Sequence, residues 1–337
     1  MSERGESESS ATFDYSGYLI FEPFQTKVQG RLEADSIDEA KHEIDQHLPT
    51  FERGTPESPA NGFEIIDIRK KLENSGILNQ YSEVKDTISF KHIREAFELV
   101  EVYEDGEYVE APTVSINTVD VYWNYPDFIY LKGAKADREK TFSRLRNLFV
   151  DSLYMKKISF DHEFFIWLFY KHYLDEEAEG VHIDQFHDVV LTGESDEFGR
   201  ENKIMGSSDV LSSSTVLSGL LHGKELTKIE GAFRHNTGTI IASISNEKVH
   251  IKSGSGSIAQ KSSIERISTA ISFLTDLCRA HSTWTKLPPE DKYPPPQFFR
   301  ELYEDALDQG TEVKSISSDV LYKYADLRDE DLNQTDE

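Results

Sequence analysis

Residues 89–112 read SFKHIREAFELVEVYEDGEYVEAP, and residues 115–133 continue SINTVDVYWNYPDFIYLKG. In the first run, EDG at 104–106 separates VEVY from EYVEA, a turn signal between two β-prone segments, which predicts a hairpin. In the second, NYPD separates SINTVDVYW from FIYLKG, with Pro126 placed to set the turn backbone. The chain then reads AKADREKTFSRLRNLF, where Phe142, Leu145 and Phe149 fall on one helical stripe. The order is strand, strand, helix.

Working outward, the same order recurs twice. GYLIFEP (17–23) and KVQGRLEA (27–34) read as short strands before SIDEAKHEIDQHL, where Ser36 stands three residues ahead of Glu39 as in a capping box. GTIIASIS and EKVHIKS, joined at Asn246, precede SSIERISTAISFLTDLC, with Ile264, Ile267, Ile271, Leu274 and Cys278 at helical spacing. The three units share pattern but not residues, so they are not read as repeats. They predict an α+β chain: antiparallel sheets of strand-strand-helix units with helices packed on one side, an arrangement of the ferredoxin-like or related split type.

The 337 residues exceed the usual single-domain size. The expected organisation is a disordered leader (1–13), α+β domains at 14–155 and 156–286, and a Pro-rich connector at 287–297 (LPPEDKYPPPQ) that is stiff and extended. An amphipathic helix and docking segment (298–325) and an acidic disordered tail (326–337) complete it. With 37% hydrophobic and 11% aromatic residues, the body has material for a core. The one cysteine, Cys278, excludes an internal disulfide and a Cys-based zinc cluster, and a reducing cytoplasm is the simplest home. The start, MSERGESESSATFD, lacks the pattern of a secretory signal. FFIWLFY (164–170) is far shorter than the roughly 20 residues of a membrane span, so no membrane partner is expected.

A net charge of −26 argues against broad attraction to nucleic acid or anionic lipid. A halophilic origin, in which acidity reflects solvation in a salty cytoplasm, is an alternative source of the charge, although Lys outnumbers Arg here. Against that background, the stretch from Lys132 to Lys157 holds eight basic residues and three acidic ones. Lys132, Lys135, Arg138, Lys140, Arg144 and Arg146, beside Tyr122, Trp123, Tyr125 and Tyr130, match what single-stranded RNA or DNA requires: cations for phosphates and rings for bases. The competing reading is a solvated helix face with core aromatics behind it.

A second cluster, DHEFFIWLFYKHYLDEEAEGVHIDQFHD, supplies Asp161, His172, His182 and His187 as a candidate divalent-metal set, since Asp161 and His172 would share a helix face. No His-Glu-x-x-His spacing occurs, and no resident cofactor is expected. KSGSGSIAQKSS (252–263) lacks the glycine spacing of a phosphate-binding loop, and no Gly-x-Ser-x-Gly elbow is present. Cys278 lies on an apolar stripe, which predicts a buried thiol. Phe298, Phe299, Leu302 and Tyr303 give the C-terminal helix an apolar side that docks on the body or on a protein partner. These features place first a non-enzymatic cytoplasmic binding or assembly protein that contacts single-stranded nucleic acid. A metal-dependent hydrolase or nuclease using 161–188, and a protein-protein scaffold without nucleic-acid contact, are the alternatives.

Overall fold

The computed structural model describes residues 18–104, 106–196, 199–206, 210, 213–308 and 316–330; the expected leader and the end of the expected acidic tail lie outside them. LIFEPFQTKV forms one ten-residue strand, β1 (Leu19–Val28). The expected second strand at 27–34 is instead the end of β1 and a 3-10 turn at Gly30–Leu32. Gly30 holds a φ of 59°, a left-handed conformation that glycine adopts without steric cost, and this stops the strand. Helix α1 (Ile37–His47) starts as read, with the Ser36 hydroxyl accepting the Glu39 N–H at 3.2 Å.

β2 (Asn61–Ile65) and α2 (Ile68–Asn74) follow. Then comes the hairpin of β3 (Thr87–Glu104) and β4 (Glu107–Asn124), with the turn where EDG placed it. β5 (Phe128–Lys132) leads to α3 (Lys135–Leu148), and β6 (Leu153–Lys157) to α4 (His162–Tyr173). β7 (His182–Asp196), β8 (Gly199–Ile204), α5 (Ser214–Leu221), β9 (Glu225–His235), β10 (Gly238–Ser245) and β11 (Lys248–Ile251) come next. The chain closes with α6 (Ser263–Trp284), α7 (Pro289–Lys292), α8 (Pro296–Asp308) and α9 (Ser318–Leu327).

The fold is α+β. Its strands form one antiparallel sheet in the order β2-β3-β4-β5-β1-β11-β10-β9-β7-β8, with β6 paired on β1. β1 bonds β5 along one edge through Phe21–Gln25, and on the other edge it bonds β11 through Leu19–Phe21 and β6 through Phe24–Val28. The sheet therefore runs without a break across the expected boundary at 155.

Helices cover both faces of the central strands and not one. Phe24, Val121, Trp123, Ile129 and Leu131 point to one side and share a core with Ala40 and Ile44 of α1 and Leu145 and Phe149 beside α3. Phe21, Tyr122 and Tyr130 point to the other and join the core of α2, α4 and α6. The cause is local: every residue of FIYLK in β5 is buried, and a strand apolar on both faces needs cover on both. Helix α6 begins with a complete capping box between Ser262 and Glu265 and buries Ile271, Leu274 and Cys278.

The Pro-rich connector is not extended throughout, because Pro289 and Pro296 each sit in the first turn of a helix, where a missing N–H costs nothing. Trp284 Nε1 donates to the Lys292 carbonyl at 3.0 Å, and the Lys292 ammonium lies 4.5 Å from the Trp284 ring centroid. α8 folds back, placing Phe298, Phe299 and Leu302 in the main core, with Tyr303 packed beside them. α9 closes over the start of α4, where the Tyr324 hydroxyl donates to Glu163 at 2.8 Å.

The same junction has a pH consequence. His162 Nδ1 accepts the Leu226 N–H at 2.8 Å, and burial pushes the imidazole from its ordinary 6.5 down to about 4, with Glu163 opposing and Lys323 adding to the shift. Between those two values the unfolded chain holds more protons than the folded one, so the His162 contribution to stability is complete above pH 6.5 and is lost as pH falls toward 4. In an NMR titration the His162 ring should change near pH 4; a midpoint at the ordinary value would contradict the buried acceptor role.

Candidate functional site

The basic island is partly consumed by the fold. Lys132 is buried and paired with Asp120 at 2.9 Å, and the Arg138 guanidinium is buried against Glu22 at 2.8 Å. Burial alone would raise the Glu22 carboxyl, but Lys157 and Arg138 outweigh it and hold it below the usual carboxylate range. Arg144 is half-buried beside His92. Burial, together with Arg94 and Arg144, lowers His92 from 6.5 to about 4, and its two ring nitrogens contact Thr141 Oγ1 at 2.8 Å and Asn61 Oδ1 at 2.7 Å. Lys135, Lys140 and Arg146 remain exposed on α3, and none has an ion pair among the described residues.

The aromatic half of that expected site is not a surface. Tyr122, Trp123 and Tyr130 are 1%, 0% and 0% exposed. Tyr125 is half-buried and anchored, its hydroxyl donating to the Leu32 carbonyl at 2.5 Å and accepting the Ala34 N–H at 3.1 Å. The strands that carry these rings are covered on both faces, so the rings pack against helices and cannot stack on bases.

The histidine cluster disperses. Asp161 caps α4 by accepting the Phe164 N–H at 3.0 Å, while His172 stands near the far end of the same helix, bonded through Nδ1 to the Ile183 carbonyl at 2.8 Å. Eleven residues at about 1.5 Å each put them roughly 16 Å apart, so a shared face does not bring them together. His182 faces Asp175 at 3.3 Å and Asp184 at 3.7 Å, and His187 is half-buried on β7. Among the described residues, no group of three or more His, Cys, Asp and Glu side chains is placed to hold a metal ion. Phe298, Phe299 and Leu302, expected as partner contacts, are buried in the body, and Phe298 meets the ring of Tyr170 at 5.0 Å.

A hydroxyl, imidazole and carboxylate do line up at the β9–β10 turn. His235 reaches Thr237 Oγ1 at 2.8 Å and Asp276 Oδ2 at 2.9 Å. The Thr237 N–H also donates to His235 Nδ1 at 3.3 Å, and the imidazole has no exposed surface. The chain of bonds ties the turn to α6 and offers no face to a substrate.

What the fold leaves outside itself is the distal half of the β3–β4 hairpin. β2 pairs with β3 only from Phe90 to Arg94, and β5 pairs with β4 only from Asp120 to Asn124, whereas β3 and β4 pair with each other out to Glu104 and Glu107. At the base, the Glu95 carboxylate accepts from the backbone N–H groups of Gly54 at 2.8 Å and Ala60 at 3.1 Å, clasping the 54–60 loop. From there the ribbon runs without strand neighbours for about 30 Å, at about 3.3 Å per residue.

The arm is apolar and acidic together. Leu99, Tyr103 and Tyr108 are 67%, 65% and 73% exposed, and Val114 and Ile116 are exposed below them. Tyr103 and Tyr108 contact edge to face at 5.1 Å. The register sets Leu99 opposite Pro112, Glu101 opposite Glu110 and Tyr103 opposite Tyr108 on one face. Glu98, Glu101, Glu107 and Glu110 are exposed and have no ion-pair partner among the described residues. Sequence reading located the hairpin but not the arm. The available signal was the absence of any Lys or Arg between Arg94 and Lys132, in a stretch too long for its neighbouring strands to cover.

No protein-family model matches the chain, and comparison with curated proteins finds no match. The geometry therefore carries the functional argument. A free-standing arm makes a stability prediction: Leu99→Ala should change unfolding free energy by less than about 0.5 kcal/mol. The same change at buried Leu274 should cost about 2–5 kcal/mol. Equal costs in urea unfolding would mean that the arm is packed.

Proposed function

We propose that the protein is a non-enzymatic binding or assembly protein that presents its β3–β4 arm to a protein partner. One observation carries the reading: a long two-stranded ribbon leaves the sheet with large apolar side chains exposed on it. An isolated two-stranded ribbon is marginal in water, and an exposed apolar strand surface is an association hazard unless something covers it. Pro112 in β4 removes one N–H from a strand whose outer edge has no β5 partner beyond Asp120, which favours contact through the ribbon face over strand addition there.

Photo-crosslinking residues placed at Leu99, Tyr108 and Val114, with exposed Tyr322 on α9 as the control site, test this in extract of the producing cell. The expected result is one discrete adduct of the same mass from all three arm positions and none from the control. Adducts that are absent, or equal at all four sites, would overturn it.

A second reading, contact with single-stranded RNA or DNA, draws on the exposed Lys135, Lys140 and Arg146 of α3. With the rings buried, such contact would run through phosphates, so single and double strands should bind alike. Affinity should fall by roughly 0.7 log units per decade of salt for each phosphate met on a single strand. Lys140→Glu with Arg146→Glu should abolish binding in fluorescence anisotropy while leaving the melting temperature unchanged; binding that survives the double substitution would remove α3 from the interface.

A further inference from the structure

We propose that the arm face bearing Leu99, Glu101, Tyr103, Tyr108, Glu110 and Pro112 captures an extended polypeptide segment that is apolar and cationic, with a Lys or Arg of that segment set between Glu101 and Glu110. The inference rests on the arm being the docking element argued above and adds the chemistry of what docks. Glu101 and Glu110 are direct cross-strand partners. Like charges in that relation destabilise a strand pair, and no described cation neutralises these two. A partner's ammonium or guanidinium between them turns one repulsion into two attractions.

Along the ribbon the carboxylates lie between two apolar steps, Leu99 with Pro112 below and Tyr103 with Tyr108 above. Same-face side chains of an extended segment repeat about every 6.7 Å, the same spacing as these steps. A segment with apolar, cationic and apolar residues at alternate positions therefore matches the face rung for rung, and the tyrosine rings offer the cation a further π-contact.

Charge also selects among occupants. The chain has no Lys or Arg from Glu95 to Leu131, so a second copy laid arm on arm would set carboxylate against carboxylate. Nucleic acid would meet the same repulsion. The net charge of −26 adds long-range attraction for a basic partner.

The test uses the full-length protein and three labelled nine-residue peptides: Val-Thr-Lys-Thr-Val-Thr-Lys-Thr-Val, and its versions with Gln or with Glu in place of both Lys. In fluorescence anisotropy the Lys peptide should bind about two- to fivefold more tightly than the Gln peptide, the scale of one exposed ion pair, and the Glu peptide should not bind. Glu101→Gln with Glu110→Gln should bring the Lys peptide to the Gln level without lowering the melting temperature. Tyr103→Ser with Tyr108→Ser should weaken both.

Equal affinity for the Lys and Gln peptides, a Lys advantage that survives the double Gln variant, or no peptide binding at all would overturn the proposal. So would arm-dependent self-association in sedimentation velocity. In each of these cases the position-specific crosslinks from Leu99, Tyr108 and Val114 decide the docking reading separately: if they persist, only the cationic partner is lost, and if they too are absent, both fall.

Discussion

Strand β1 has no free edge, and most of the molecule follows from that. Its backbone groups bond β5 on one side and β11 and β6 on the other, so strands far apart in sequence are held in one sheet by a single segment. With both edges used and both faces of Leu19–Phe24 largely buried, that half of β1 needs cover on both sides, which α3 and α6 supply. Glu22, inside this strand, then has no water to solvate it. Arg138 and Lys157 flank it, as a buried carboxylate requires, and the pairing buries the Arg138 guanidinium while Lys157 stays part-exposed.

The same constraint decides which cations of the basic island face water. Cations near Lys132 to Lys157 are drawn inward by Asp120 and Glu22, and the neighbouring aromatics fill the space between strands and helices. Part of a residue class that would bind an external anion, Lys132, Arg138 and Lys157, is used to neutralise internal ones. Lys135, Lys140 and Arg146 on α3 and Lys156 on β6 stay exposed.

The arm is the reverse case. β3 and β4 are far longer than the strands beside them, so their inner halves are sheet and their outer halves are a ribbon with water on both faces. Both faces there carry apolar side chains, Leu99, Tyr103 and Tyr108 on one and the less exposed Val100, Val102 and Val109 on the other. Ordinary exposed positions tolerate an isolated Tyr or Leu; here they stand opposite one another and interleave with carboxylates, and the proposed partner contact rests on that.

By itself the sequence determined the elements that local chemistry controls: the EDG turn, the NYPD turn, the Ser36 cap, the apolar stripes of α3 and α6, and hence the α+β class. It also marked the charge contrast between the arm and α3. Only the tertiary structure decided which faces of those elements are covered. Periodicity shows that Tyr122 and Trp123 take opposite faces, but not that Tyr130 lies beside Tyr122 or that helices lie on both sides. Nor does it show that Asp161 and His172 end up a helix length apart, or that β3 and β4 outrun their neighbours. Burial depends on which strands pair over long separations, and those pairings, made by backbone groups common to all residues, leave little trace in side-chain pattern.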